Sequence, residues 1–143
     1  MPIQSPSLRP ATRADAAFFV DLEEACMRAY AVALWGEWRP SATVESFDPA
    51  GMRVILMDGQ DAGVLVTGPE AGHLRVQKLY VSPDCQNRGL GAWALGVAIA
   101  EAEAAGLPVM LTVLTTNPAR RFYEREGFRL AGETPERLTM VRP

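Results

Sequence analysis

This sequence predicts an α/β domain built on a mixed sheet, and three observations predict it. Helical spacing of apolar residues marks two well-separated stretches, one around residues 18–30 and one around 89–105. Between them lie three consecutive strand-like runs with no room for a helix, which points to a meander. After the second stretch a short apolar run, another helical stretch and a last strand alternate, as in α/β folds. The chain has 143 residues and shows no repeat, low-complexity segment or linker, so a single domain spanning 1–143 is expected.

Taken in order, the segment from Ser7 to Tyr30 opens with a short extended piece. It then sets Thr12 three residues ahead of Asp15, the spacing of a capping box. Phe18, Phe19, Leu22, Cys26 and Tyr30 follow at helical intervals. Gly36 and Pro40 interrupt the next stretch, around Trp35, Trp38 and Phe47, and suggest a broken or second short helix. Two strands follow, from Met52 to Gly68, joined by a turn at Asp58-Gly59, a strong hairpin signal. A third strand, from Gly72 to Val81, ends at Ser82-Pro83. The alanine-rich helix from about Gly89 to Ala105 stops at Gly106, with Pro108 just beyond. Residues 109–115 suit a buried strand, and the next stretch reads as a helix with Asn117 at its N-cap, Pro118 in its first turn and Gly127 at its exit. With a final strand from Arg137, the expected order is βα(α)βββαβαβ.

Composition excludes several classes. No apolar run approaches the roughly 18 to 20 residues of a membrane span, and residues 1–10 lack the basic and apolar regions of a signal peptide. A cytoplasmic protein without a membrane partner is therefore expected. Cys26 and Cys85 are the only cysteines and have no companions at metal-ligand spacing, so no metal is expected. A net charge of −3 argues against a nucleic-acid partner.

The stretch "QNRGLG", Gln86 to Gly91, carries the functional signal. A strand, a tight glycine turn and then a helix aim unpaired N–H groups at an anion, although the same glycines also serve a sharp turn. A triphosphate loop is excluded because neither lysine nor hydroxyl follows Gly91. Gly89, Gly91 and Ala94 match a dinucleotide fingerprint literally. The next strand ends in threonines and asparagine rather than an acid, and a meander precedes the turn, so that fold fits poorly.

The same residues resemble the Gln/Arg-x-x-Gly-x-Gly/Ala signature of the GNAT superfamily of acyl-CoA-dependent N-acyltransferases, with Gln86, Gly89 and Gly91 at its three places. Asn117, Tyr123, Gly127 and Phe128 are similar to that family's Asn…Tyr-x-x-x-Gly-Phe helix. The resemblance is strongest from Leu74 to Phe128 and weak before Met52. It implies a mixed, mostly antiparallel sheet flanked by helices, with strands splayed at the acyl-CoA site. It further implies that the strand carrying Leu79, Tyr80 and Val81 lies along the pantetheine arm, and that backbone amides of Gln86, Asn87, Arg88, Gly89, Leu90, Gly91 and Ala92 hold the pyrophosphate. Asn117 would then contact the cofactor from the other side, and Tyr123 would serve the departing thiolate as acid.

The activity so implied is transfer of an acetyl group from acetyl-CoA to an amine, on a small molecule or a protein. A non-catalytic acyl-CoA sensor of the same fold is the alternative. The family's strand glutamate does not carry over, because Arg75 stands near its place. The base is left among His73, Glu24, Glu37 and water. Trp35, Trp38 and Arg39 are expected either to wall the acceptor site or to be core or dimer contacts. Pairing of exposed final strands makes a homodimer the expected assembly.

Overall fold

The computed structural model describes residues 5–143. Seven strands form one sheet in the order β1-β2-β3-β4-β5-β7-β6. They are β1 (Pro6–Pro10), β2 (Met52–Met57), β3 (Gln60–Glu70), β4 (His73–Val81), β5 (Val109–Leu114), β6 (Arg129–Glu133) and β7 (Arg137–Arg142). The helices are α1 (Ala16–Trp35), α2 (Leu90–Ala104) and α3 (Arg120–Arg125). Every strand pairing is antiparallel except β4 with β5. The expected element order is met with one addition, β6, whose residues Arg129–Glu133 carry no alternation of apolar and polar side chains.

Alternation along β3 explains the layers. Val64 and Val66 belong to a cluster with Phe19 and Leu22 of α1, whereas Leu65 between them packs with Leu90, Ala94, Leu95 and Ala98 of α2. The buried residues of α2 at 90, 94, 98 and 102 recur every four positions, and three of them are alanines that let the helix approach the sheet closely. No helix among the described residues is long and apolar enough to cross a membrane.

Local chemistry sets the ends. Asp58 and Gly59 both have positive φ, 53° and 81°, as a two-residue hairpin turn requires. Thr12 and Asp15 form the expected capping box, and the Arg9 guanidinium, bidentate on Asp15 at 2.8 and 3.0 Å, holds that carboxyl below its ordinary range. Helix α1 runs unbroken to Trp35 and ends at Gly36, whose N–H donates to Val32 O. Of the broken or second short helix expected around Gly36 and Pro40, the structure has the break alone: residues 36–51 hold bends and turns without a helix, because Gly36 takes the left-handed conformation and turns the chain away. Helix α3 begins at Arg120, later than expected. Asn117 Oδ1 accepts instead from Ala119 N at 3.0 Å, forming a turn that leads into the helix rather than capping it.

Candidate functional site

The parallel β4–β5 pairing holds at only two register positions, Leu74 with Val109 and Arg75 with Met110. Beyond Arg75 the strands part, and β4 continues to Val81 with an edge that β5 does not cover. Helix α1 lies across the opening. It is tied to β4 by Cys26 Sγ donating to Val81 O at 3.2 Å and by Tyr80 Oη donating to Glu23 at 3.0 Å. Thr116 Oγ1, after β5, donates to Tyr30 O at 2.7 Å and fixes the helix's far end.

Two cavities open from this splay. One, of about 710 Å³, lies against the start of α2 and is lined by Leu79, Val81, Gln86, Asn87, Gly89, Leu90, Gly91 and Ala92 from one side. Asn117, Phe122, Tyr123 and Arg125 line it from the other. The second, of about 570 Å³, lies under α1 and takes in Glu23, Trp35, Trp38 and Arg39, strand residues including Arg75, Lys78, Thr112 and Thr139, and Arg137 of β7. Leu79, Asn117 and Tyr123 line both.

The glycine turn has a structural reason. Gly89 precedes α2 with φ +78°, and a Cβ there would meet nothing within 4 Å, so backbone conformation rather than crowding calls for glycine. The first hydrogen bond back to this turn is Trp93 N to Gly89 O, which leaves the N–H groups of Leu90, Gly91 and Ala92 without an intrahelical acceptor. They face the larger cavity's end of the helix, where the dipole favours negative charge. A Cβ on Gly91 would lie 3.8 Å from both Phe122 and Val81, which is ordinary contact.

Among the other residues singled out from sequence, Tyr80 turns its side chain into the second cavity and not the first, because its hydroxyl is bonded to Glu23. Arg88 lines neither cavity. The Val81 carbonyl accepts from both Cys26 and Gln86 Nε2, the latter at 2.9 Å, so Gln86 ties the glycine loop back to the strand end. Burial pushes the Cys26 thiol up to about 11, which keeps it protonated and poorly nucleophilic.

Tyr123 is 8% exposed, and burial pushes its phenol up to about 12. The Tyr-x-x-x-Gly-Phe pattern fixes it mechanically. Gly127 N donates to Glu124 O and Phe128 N to Tyr123 O, closing α3 in a left-handed turn at φ +94°. Phe128 then packs edge-on against the Tyr123 ring at 5.7 Å.

Sequence reasoning missed Glu23. Its side chain is buried and accepts from Ser41 N and Oγ and from Tyr80 Oη, with Lys78 Nζ at 3.6 Å. Burial first, and then the charge of Glu23, holds the Tyr80 phenol well above its ordinary value. A single acid within helical spacing gives no signal, since its partners come from residues 41, 78 and 80. His73 lies at the start of β4, 3.0 Å from Glu70, and lines neither cavity. Glu24 pairs with Arg28, and Glu37 with Arg39.

The model of the acetyltransferase (GNAT) domain matches residues 48–130, more than half of the chain. The chain belongs to the GNAT acetyltransferase family. Solved structures extend the likeness over the full length. An acetyltransferase of Thermus thermophilus is 26% identical, with TM-score 0.78, covering 100% of this chain and 99% of that one. The PaiA N-acetyltransferase of Thermoplasma acidophilum, in complex with coenzyme A, is 14% identical at TM-score 0.76, with 96% and 98% covered. The ribosomal-protein-S18-alanine N-acetyltransferase of Escherichia coli is 20% identical at TM-score 0.73, with 97% and 94% covered. The last two share the fold. No curated protein matches the sequence. The seven-strand, mostly antiparallel sheet is the GNAT sheet, and membership in the family indicates acyltransferase activity.

Proposed function

We propose that this GNAT protein transfers an acetyl group from acetyl-CoA directly to a primary amine. The observation that carries the reading is the meeting of the two cavities at Leu79, Asn117 and Tyr123, with the start of α2 on one side and the acceptor space on the other. The pyrophosphate sits on the free N–H groups of Leu90, Gly91 and Ala92, and the pantetheine arm runs along the uncovered edge of β4 at Leu79. Asn117 and Tyr123 then flank the thioester.

The amine nitrogen attacks the thioester carbonyl, a C–N bond forms and the C–S bond breaks. Backbone N–H groups on the splayed edge of β4 stabilise the oxyanion. Tyr123, at about 12, donates a hydrogen bond to the departing sulfur. Handing its proton outright to the thiolate of a thiol of pKa about 8.5 would cost roughly 5 kcal/mol, so the proton that ends on sulfur derives from the amine.

Water removes the amine proton. Glu23 is unsuited to that task because Ser41, Tyr80 and Lys78 already surround its lone pairs, and His73, Glu24 and Glu37 are engaged elsewhere. Glu23 instead holds Tyr80 and the loop carrying Trp38 and Arg39 in place. The protonated Cys26 thiol supports direct transfer over an acyl-cysteine route.

The test is release of free coenzyme A thiol from acetyl-CoA with and without an amine panel. Amine-dependent release with an equal yield of N-acetylated product is expected. Tight acetyl-CoA binding without such release across the panel would refute transfer.

A further inference from the structure

We propose that the acceptor is a small amine that also carries a carboxylate, with that carboxylate held by the guanidinium groups of Arg75 and Arg137 and supported by Arg39. This rests on the transfer reading above, because it assigns the second substrate of the same site.

The charge of the acceptor-side cavity carries the inference. Its lining holds Glu23 as the one acid among the described residues, against Arg39, Arg75, Arg137 and Lys78. Lys78 lies 3.6 Å from Glu23, so that pair cancels and three arginines remain. They gather in a chain whose net charge is −3, so the cluster does not reflect bulk composition.

Their acidic partners stand outside the cavity. Glu37, Glu70 and Glu136 are 65%, 43% and 49% exposed at the side chain, and pairs of that kind are weak and screened. A guanidinium offers five N–H donors. Arg39 uses Nε on Glu37, Arg137 uses Nη1 on Glu136, and Arg75 uses Nη2 on Thr112 with Nε facing Glu70 at 3.6 Å. Each therefore keeps donors that no described residue engages.

Trp35 adds an independent observation. Arg39 and Arg137 lie 4.5 and 5.7 Å from the centre of its ring, so one indole gathers both cations. Its Nε1 is buried without a hydrogen-bond partner among the described residues. A carboxylate supplies two acceptor oxygens and the compensating charge for the guanidiniums, in the planar geometry that arginine matches.

The cavity of about 570 Å³ is of small-molecule size. The same charges repel polycations, so polyamines and aminoglycosides are disfavoured acceptors. An amino acid meets both requirements, with its amine toward Tyr123 and its carboxylate toward Arg75 and Arg137.

The first arm of the test needs no coenzyme. N-acetyl-L-alanine, N-acetyl-L-phenylalanine and N-acetyl-L-glutamate, each beside its α-amide, are titrated calorimetrically onto the full chain. At least one acid is expected to bind about tenfold or more tighter than its amide. Arg137→Gln and Arg75→Gln should each erase that preference, and Arg39→Gln, on an exposed loop, should weaken it without touching the sheet.

The second arm measures rates with acetyl-CoA for free amino acids, for tetrapeptides with an acidic first residue, for amino-acid amides and for spermidine. Free amino acids are expected to lead. Preference for the acidic peptides would keep the carboxylate and identify its source as a peptide. Equal binding of acids and amides in the first arm, or faster acetylation of spermidine or amides, would overturn the proposal. Failure of acetyl-CoA to bind would instead strike the transfer reading and leave the calorimetric result standing.

Discussion

The two cavities that meet at Tyr123 are built by different means. The one against α2 draws much of its lining from a single stretch, residues 79–92, and works through backbone: a strand edge, a left-handed glycine and three free N–H groups. The one under α1 gathers side chains from residue 23 to residue 139, held by hydrogen bonds and ion pairs across long sequence separations. A backbone site is tolerant of side-chain identity but strict about conformation, whereas the side-chain site is strict about identity. Substitutions on the two sides should therefore fail in different ways.

The largest effect is expected where the cavities join. Tyr123→Phe removes only a hydroxyl and should lower kcat by at least tenfold, and by up to about a thousandfold, while acetyl-CoA raises the unfolding midpoint as in the wild type. Single-turnover kinetics with melting curves separate the two readouts. Unchanged kcat would remove the hydroxyl from the mechanism.

Glu23→Gln comes next. The amide cannot accept from all the donors that now surround the carboxylate, so stability should fall by about 2–3 kcal/mol, with KM for the amine raised and acetyl-CoA affinity kept. Denaturant titration and steady-state kinetics check both, and an equal loss of acetyl-CoA affinity would break the separation between the two sides.

The two glycines should part company. Gly89→Ala forces a side chain to φ +78° and is expected to cost about 1–2 kcal/mol without ligand. Gly91→Ala adds a methyl at ordinary contact distance, so it should leave the unliganded midpoint within about 0.5 kcal/mol and weaken acetyl-CoA instead. Melting curves with and without acetyl-CoA resolve the difference.

The smallest effect is an expected absence in the pH profile. In the proposed mechanism the Tyr123 donor is lost only as pH rises through about 12, and water serves as base. kcat/KM should then climb with deprotonation of the amine and show no descending limb up to about pH 10.5. A fall between pH 9 and 10 would mean an ordinary phenol or another acid.

The same contrast explains what the sequence made legible. Gln86, Gly89 and Gly91 lie within six residues, and their spacing reports backbone geometry directly, so the glycine turn, the helix behind it and the meander before it could all be read. Tyr123, Gly127 and Phe128 were readable for a similar reason, because a helix exit is a local event. Glu23 was not, since nothing near it in sequence distinguishes it from the solvated Glu24. β6 escaped notice because an edge strand that is mostly exposed carries little hydrophobic pattern. Of the broken or second short helix expected around Gly36 and Pro40, only the break formed: Gly36 ends α1 directly after Trp35, and Trp35 and Trp38 both line the cavity under that helix.

The most direct test of the central claim, that the start of α2 holds acetyl-CoA beside Tyr123, is thermal unfolding with acetyl-CoA, with NAD and ATP as controls. A ligand that binds the folded state alone must raise the midpoint, by about 2.7 kcal/mol of stability at a hundredfold excess over Kd. The account predicts a selective rise with acetyl-CoA. No shift at saturating acetyl-CoA, or an equal shift with NAD, would contradict it and leave Gly89 and Gly91 as turn residues alone.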